Sequence, residues 1–346
     1  MMKHFLLLNL LIFFVLGTSL AQQRSCTELL EDANEAFQEG RIEDIPRLTL
    51  DCIKSAPTRD QLSQAYKLLT ITYLYDNELE EADSTMLELL RLNPLFRPDL
   101  AADPGEFIHL YNSFRTTPIL KVGVNVGANS LLIDYSKSFG IENHNTSTES
   151  YSSNIGVVLG LAVEYPIQNS RWSATADLNY MSRSFLLENS LLAFNNSKKT
   201  VSQSWIDLPI TAKYLVKDEG TFQPYAQLGF TVNYLFSDGA KIDIKQEEIK
   251  DIESPQLDLI DTKNKLHFGL TGAVGAEYHF GVSIIQLSAH FQYTFSEMVK
   301  PESRDTPLAK SLLYNYGEIE NDYKLHTFYL SAGYKLKIFN PKKLTE

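Results

Sequence analysis

The chain has 346 residues, with 43 Asp and Glu against 31 Lys and Arg, a formal net charge of −12 at pH 7 and two cysteines. An acidic balance of this kind, without a basic run, excludes nucleic acid as a partner. No stretch approaches roughly eighteen consecutive apolar residues, which excludes a membrane-spanning helix and leaves strands as the only means of crossing a bilayer.

Residues 1–21 read as a secretory signal peptide: Lys3 supplies the positive start, 5–16 the apolar run, and Ser19 and Ala21 the small-x-small cleavage site. Cys26 lies beyond that site, so lipoprotein processing is not expected. Residues 22–117 change character, being rich in Leu, Glu and Ala and poor in Gly, and are expected to form a separate periplasmic helical module. Helices are predicted over 26–39, 45–55, 58–75, 79–92 and 104–114, broken at Gly40, Pro57 and Pro94. Thr58 and Gln61 suit a capping box. Leu69, Tyr73, Ala82 and Pro94 keep the spacing of a tetratricopeptide-type helical hairpin, with Thr70 and Leu89 standing where small residues are usual. A weaker copy precedes it at Phe37, Gly40 and Pro57.

Cys26 and Cys52 both fall in this module. In an exported chain the economical reading is a disulfide between them. A redox or metal role lacks support, since there is no CxxC and His109 is the module's only histidine. The module holds eighteen Asp and Glu against nine Lys and Arg, net −9. Such a surface favours a basic protein partner, or serves solubility alone.

From residue 118 the period changes from helical to two. Leu120, Val122, Val124 and Val126 alternate with Lys121, Gly123, Asn125 and Gly127; Ile206, Leu208, Ile210, Ala212 and Tyr214 alternate with Trp205, Asp207, Pro209, Thr211 and Lys213. Eight such segments are expected, the others over 155–165, 172–184, 222–236, 266–278, 283–295 and 324–339. No apolar face carries a charge. Apolar-out, polar-in alternation is the requirement of a transmembrane barrel, because hydrocarbon satisfies no backbone group. The links at 166–171, 216–221 and 280–282 are short, and those at 135–154, 187–201, 237–264 and 297–323 are long. Long outer loops and short periplasmic turns would put both termini in the periplasm. The expected fold class is therefore α+β multidomain: an eight-stranded antiparallel transmembrane β-barrel over 118–340, preceded by a small all-helical domain and followed by a short tail over 341–346. Tyr165, Trp172, Tyr214 and Tyr278 at one edge, and Tyr180, Tyr234, Phe268, Phe291, Tyr293 and Phe328 higher up, suit an aromatic girdle.

Counting inward positions gives Lys121, Lys213, Lys335 and Lys337 against Glu164, Asp177, Asp207 and Glu277. Lys121, Glu164, Lys213, Glu277 and Lys335 fall at one depth, which predicts a paired charge belt near the periplasmic mouth. Pro209 removes a ladder hydrogen bond, so a bulge or gap is expected there. His267, His279, His290 and Ser288 have no spacing that makes a hydrolase site, and there is neither a GxSxG nor an HExxH motif. Neither a catalytic residue nor a cofactor or metal site is expected. The acidic run Asp243, Glu247, Glu248, Asp251 and Glu253 has no calcium-loop spacing; outer-membrane lipid and lipopolysaccharide are the expected surroundings.

Four stretches, SWIDLPITAKY at Ser204 to Tyr214 and then PYAQLGFTVNYLF, LHFGLTGAVGAEYHF and FYLSAGYKL, resemble the PorT-like outer-membrane barrels of Bacteroidetes, over roughly residues 118–340. The resemblance implies fold and location, in a family that includes a component of the type IX secretion system; no motif marks a residue whose role could be carried over, and the helical module departs from the simplest members. The expected function is a barrel that anchors a periplasmic helical adaptor for an envelope protein partner, in envelope assembly or secretion. The alternative is a small porin-like channel or ligand carrier gated by the helical module.

Overall fold

The computed structural model describes residues 24–344 other than 56, 138, 140–146, 169, 192–194, 218–219 and 247–251. The expected signal peptide lies outside the described residues, as do Glu247, Glu248 and Asp251 of the acidic run. The chain divides into two compact units, Met1–Thr116 together with Phe339–Glu346, and Thr117–Ile338.

The first unit is helical: α1 (Cys26–Gln38), α2 (Ile45–Lys54), α3 (Arg59–Tyr75), α4 (Leu79–Leu92) and α5 (Gly105–Asn112). Two of its starts follow from capping boxes. Thr58 accepts from the Gln61 backbone N–H while the Gln61 side chain returns to Thr58, and Ser25 and Glu28 make the same reciprocal pair at α1. Gly40, at φ +79°, turns the chain after α1. Two apolar clusters hold the helices. One gathers Ala33, Ile45, Cys52 and Ala65, the other Ala82, Met86, Leu89 and Phe107. Leu69 and Ala82 are buried, Tyr73 packs against the second cluster, and Pro94 is half-buried just past α4. Thr70 is fully buried; its hydroxyl donates to the Tyr66 carbonyl at 2.7 Å and lies 3.0 Å from that of Thr85, a polar tie between α3 and α4. Cys26 and Cys52 form a disulfide across α1 and α2, with Cα atoms 4.4 Å apart. Residues after 339 are tied to this unit: Phe114 bridges Lys343, the Arg115 guanidinium donates to the Asn340 carbonyl at 2.8 Å, and the Leu344 N–H donates to the Ser113 carbonyl at 2.8 Å.

The second unit is a sheet. Its long strands are β1 (Leu120–Lys137), β3 (Gly156–Pro166), β4 (Trp172–Leu191), β5 (Asn195–Leu215), β6 (Phe222–Gln246), β9 (Leu266–Phe280), β10 (Ser283–Thr294) and β11 (Asp322–Ile338), with β2 (Ser147–Asn154) on β4 and the short β7 (Ile252–Glu253) and β8 (Leu257–Asp258) on β6. All pairings are antiparallel, in the cycle β1–β3–β4–β5–β6–β9–β10–β11 and back to β1. The sheet of about eight long strands is thus barrel-like, without a free edge in that cycle.

Several strands run farther than the sequence suggested. β4, β5 and β6 have 20, 21 and 25 residues, about twice what a tilted crossing needs. The expected loop at 187–201 is mostly strand, that at 135–154 contains β2, and that at 237–264 begins with ten more residues of β6. The extensions escaped notice because polarity inverts along them. In the lower half Leu208 and Ile206 face out and Lys213 and Asp207 in; higher on β5, Ser202 and Lys198 face out and Trp205 and Val201 in. On β6 the change is marked by a bulge, with Ser204 paired to Ser237 and Trp205 to Leu235, so that Phe236 is extra. Inward residues there switch from odd numbers (Thr231, Asn233, Leu235) to even ones (Ala240, Ile242, Ile244). The expected loop at 297–323 contains a helix, α6 (Pro307–Tyr316), with Thr306 capping its start and Gly317, at φ +66°, ending it. Pro209 makes the expected gap: the β4–β5 ladder passes from Ala176–Ile210 directly to Asn179–Asp207.

Replacing Cys26 and Cys52 with alanine is expected to destabilise the helical unit by about 3 kcal/mol, read as a lowered midpoint of the helical circular-dichroism signal in the full chain. An unchanged midpoint would show that the two apolar clusters alone hold α1 and α2.

Candidate functional site

The barrel strands bring together the five inward charges singled out in the sequence. β1, β3, β5, β9 and β11 contribute Lys121, Glu164, Lys213, Glu277 and Lys335, one from each, all at most 6% exposed. Glu164 receives Lys121 at 2.6 Å, Lys213 at 2.9 Å and Lys335 at 2.8 Å. Glu277 pairs with Lys213, lies 3.3 Å from Lys335 and 3.6 Å from Lys121, and accepts from the His279 ring at 3.2 Å. Two carboxylates are thereby shared among three ammonium groups, so each charge has more than one opposite neighbour. That arrangement offsets the desolvation each would suffer if unpaired. Lys337, counted among the inward cations, stays out of the belt and donates to the Gly281 carbonyl at 3.2 Å.

Above the belt the interior remains filled. A cavity of about 10 Å³ lined by Asn125, Asp177, Gln227, His290, Ser331 and Lys335 is the size of a single water. Next, Arg183 donates to Asp207 at 2.5 Å and to Gln292 at 3.2 Å, with its guanidinium 4.6 Å from the Trp205 ring centre. Arg183 was missed in the inward count, although counting by two from Asp177 through Asn179 and Met181 reaches it. Higher still the lumen is apolar: Met181, Phe185, Val201, Leu235, Ile242, Leu259, Met298, Leu312 and Tyr323 form one cluster, to which α6 contributes Leu312.

A second set of charges closes the long-loop end. Lys263 reaches Glu320 at 2.5 Å; Lys199 reaches Glu318 at 2.9 Å and Glu320 at 3.5 Å; the Thr262 hydroxyl donates to Glu320 at 2.7 Å. Burial disfavours the charged form of Glu320, but Lys263 and Lys199 outweigh it and hold the carboxyl down at about 2. Lys199 is raised in turn: burial opposes its charge, and Glu318 and Glu320 prevail. Arg304 pairs with Asp322 beside them.

The histidines considered for hydrolysis are dispersed. His267 donates to the Asn264 carbonyl at 2.7 Å and lies edge-on to Trp205; His279 joins the belt. Ser288 and His290 do meet, at 2.8 Å, with Ser331 2.9 Å from Ser288, but the pair is buried and the His290 ring stacks flat on Tyr329 at 4.2 Å. The adjoining interior cavity is about 10 Å³. Among the described residues no cluster of His, Cys, Asp and Glu is arranged to hold a metal ion.

A closed antiparallel sheet with an apolar outer band and a paired polar interior is the architecture of a protein that crosses a membrane with strands. The model of the outer membrane protein beta-barrel domain family matches residues 118–300. The chain belongs to that family. As an outer-membrane barrel it presents its apolar band, including Val126, Leu161, Phe230 and Val274, to lipid. No curated protein matches it. Among solved structures it is similar to Neisserial surface protein A, at 13% identity over 63% of this chain and 97% of that one, with a TM-score of 0.32. OprG from Pseudomonas aeruginosa aligns at 12% identity over 65% and 98%, TM-score 0.36, and Ail of Yersinia pestis at 10% over 62% and 98%, TM-score 0.26.

Glu164→Gln removes the carboxylate shared by three lysines and is expected to cost about 3–5 kcal/mol of barrel stability in urea unfolding. Adding Lys213→Met should recover part of that loss by restoring the balance of charge. Losses that simply add would show that the belt does not act as one unit.

Proposed function

We propose that the barrel is an anchor, and that the helical unit is a periplasmic, tetratricopeptide-like adaptor that recruits an envelope protein. The observation that carries this reading is the filled lumen. Paired charges at the belt, the Arg183–Asp207 pair above it, an interior cavity of about 10 Å³ beside Asp177 and His290, and an apolar upper core support an anchor over a channel. A barrel that encloses no solute route must act through the surfaces it displays or tethers.

The helical unit supplies such a surface. Its hairpins bury Leu69 and Ala82 while leaving an open groove of about 860 Å³ walled by Leu74, Leu79, His109, Leu110 and Leu344. Leu79 is 58% exposed there, and Glu106 lines the groove together with Asp83, which is paired with Lys343. With a net charge of −9 over residues 22–117, the unit favours a basic segment carrying an apolar anchor. The resemblance of the strands to PorT-like barrels suits a place in secretion or envelope assembly. The role is non-enzymatic.

The test is photo-crosslinking of the full chain in intact outer membranes from probes at Leu79, Glu106 and His109, with mass spectrometry of the adducts. One envelope protein captured from all three positions, and lost in Leu79→Glu, is the expected result. Absence of any protein adduct while the barrel remains folded would overturn the adaptor reading.

A further inference from the structure

Most glycines of the barrel wall are explained by crowding, and Gly272 is the least crowded of them. A Cβ at Gly123, Gly127, Gly229 or Gly269 would stand 2.3, 2.1, 2.0 or 2.2 Å from a backbone oxygen of the neighbouring strand. Those positions face inward, where strands approach closely. Gly272 faces outward, in the apolar band between Leu270 and Val274. A Cβ there would meet nothing nearer than Leu228 Cδ1 at 3.6 Å and the Gln227 carbonyl at 3.7 Å, ordinary contact distances. Its φ is not in the left-handed region, and the ladder through it is unbroken on both sides, pairing with Leu228 of β6 and Phe291 of β10. Glycine inside a strand weakens it and otherwise marks a bulge, a tight bend or a close approach by a backbone or a ligand. The first three are absent here.

What the glycine leaves is a hollow of about 550 Å³ on the outer face, within the size range of ligand sites. Gly272, Ala226 and Ala289 form its floor; Leu228, Leu270, Phe291 and Phe328 stand around it. Tyr293 lies toward the long-loop end, stacked on His326 with ring centres 4.3 Å apart. No Asp, Glu, Lys or Arg lines it. The surrounding wall is the lipid-facing band already described, and the hollow is continuous with it. Phe230 and Leu287, 69% and 62% exposed, belong to the same outward apolar band, paired across the ladder with Leu270 and Ala276.

We propose that this hollow is a binding site for one acyl chain of a membrane lipid, drawn from the leaflet on the long-loop side. The chain lies along β9 over Gly272, between the aromatic walls, with its head end near Tyr293 and His326. Burial of its methylenes against Phe291, Phe328 and Leu270 holds it longer than the lipids that touch the rest of the barrel.

The test uses the full chain in dioleoylphosphatidylethanolamine vesicles doped with a phospholipid bearing a diazirine at mid-chain, the adducts being mapped by mass spectrometry. Labelling at 270–274 and 289–291 is expected to exceed that at 157–163 of β3, across the barrel. Gly272→Leu, and independently Ala289→Leu from the adjoining strand, should each reduce that labelling several-fold while leaving β3 unchanged, with folding of each variant verified by heat-dependent gel mobility. Even labelling around the barrel, or labelling untouched by the filled variants, would overturn the site. Replacement of lipid adducts by adducts between two copies would also overturn it, in favour of a dimer contact.

Discussion

Hydrocarbon offers no hydrogen bond, and that single fact governs the second unit of this chain. Backbone groups on the strands must find one another, which the closed cycle from β1 through β11 achieves. Charged side chains must turn inward and find one another as well. Glu164 and Glu277, reached from four different strands by Lys121, Lys213, Lys335 and His279, meet the second demand. The belt is therefore a consequence of placing ionisable residues in a narrow lumen, where one missing partner would leave a charge both buried and unanswered.

The same constraint, lifted, accounts for the upper barrel. Once the strands rise beyond lipid, the outer face can be polar and the inner face must supply a core. β5 changes from Ile206 outside and Asp207 inside to Ser202 outside and Val201 inside, and β6 accomplishes the change with a bulge at Phe236. The upper half is packed like a soluble barrel and closed by the cluster of Lys199, Lys263, Glu318 and Glu320. Among the described residues the lumen is lined in two chemically opposite ways, paired charges below and apolar side chains above.

Much of this was legible in the sequence where one periodicity ran unbroken. The helix starts at Thr58 and Leu79, the lower strands, the short turns and the depth of the five belt residues all follow from spacing and parity. What escaped lies where parity breaks or where a second environment takes over. Residues 187–201 look like a loop only if strands must be apolar outside; Phe236 shifts the count by one; Arg183 hides among Met181 and Phe185, which belong to the apolar core. α6 had signals in Thr306, Pro307 and Gly317, but they lie in a stretch already assigned to loop. The meeting of Ser288 with His290 follows from their spacing of two on an inward face, yet only packing shows that Tyr329 and Ser331 enclose them.

The central claim is that the barrel is filled, and planar-bilayer recording of the purified full chain tests it most directly. The account predicts a membrane that stays closed, with no reproducible conductance steps across a range of voltage. Steps of constant size, altered by changing Glu164 or Lys213, would contradict it and put the channel reading ahead of the anchor.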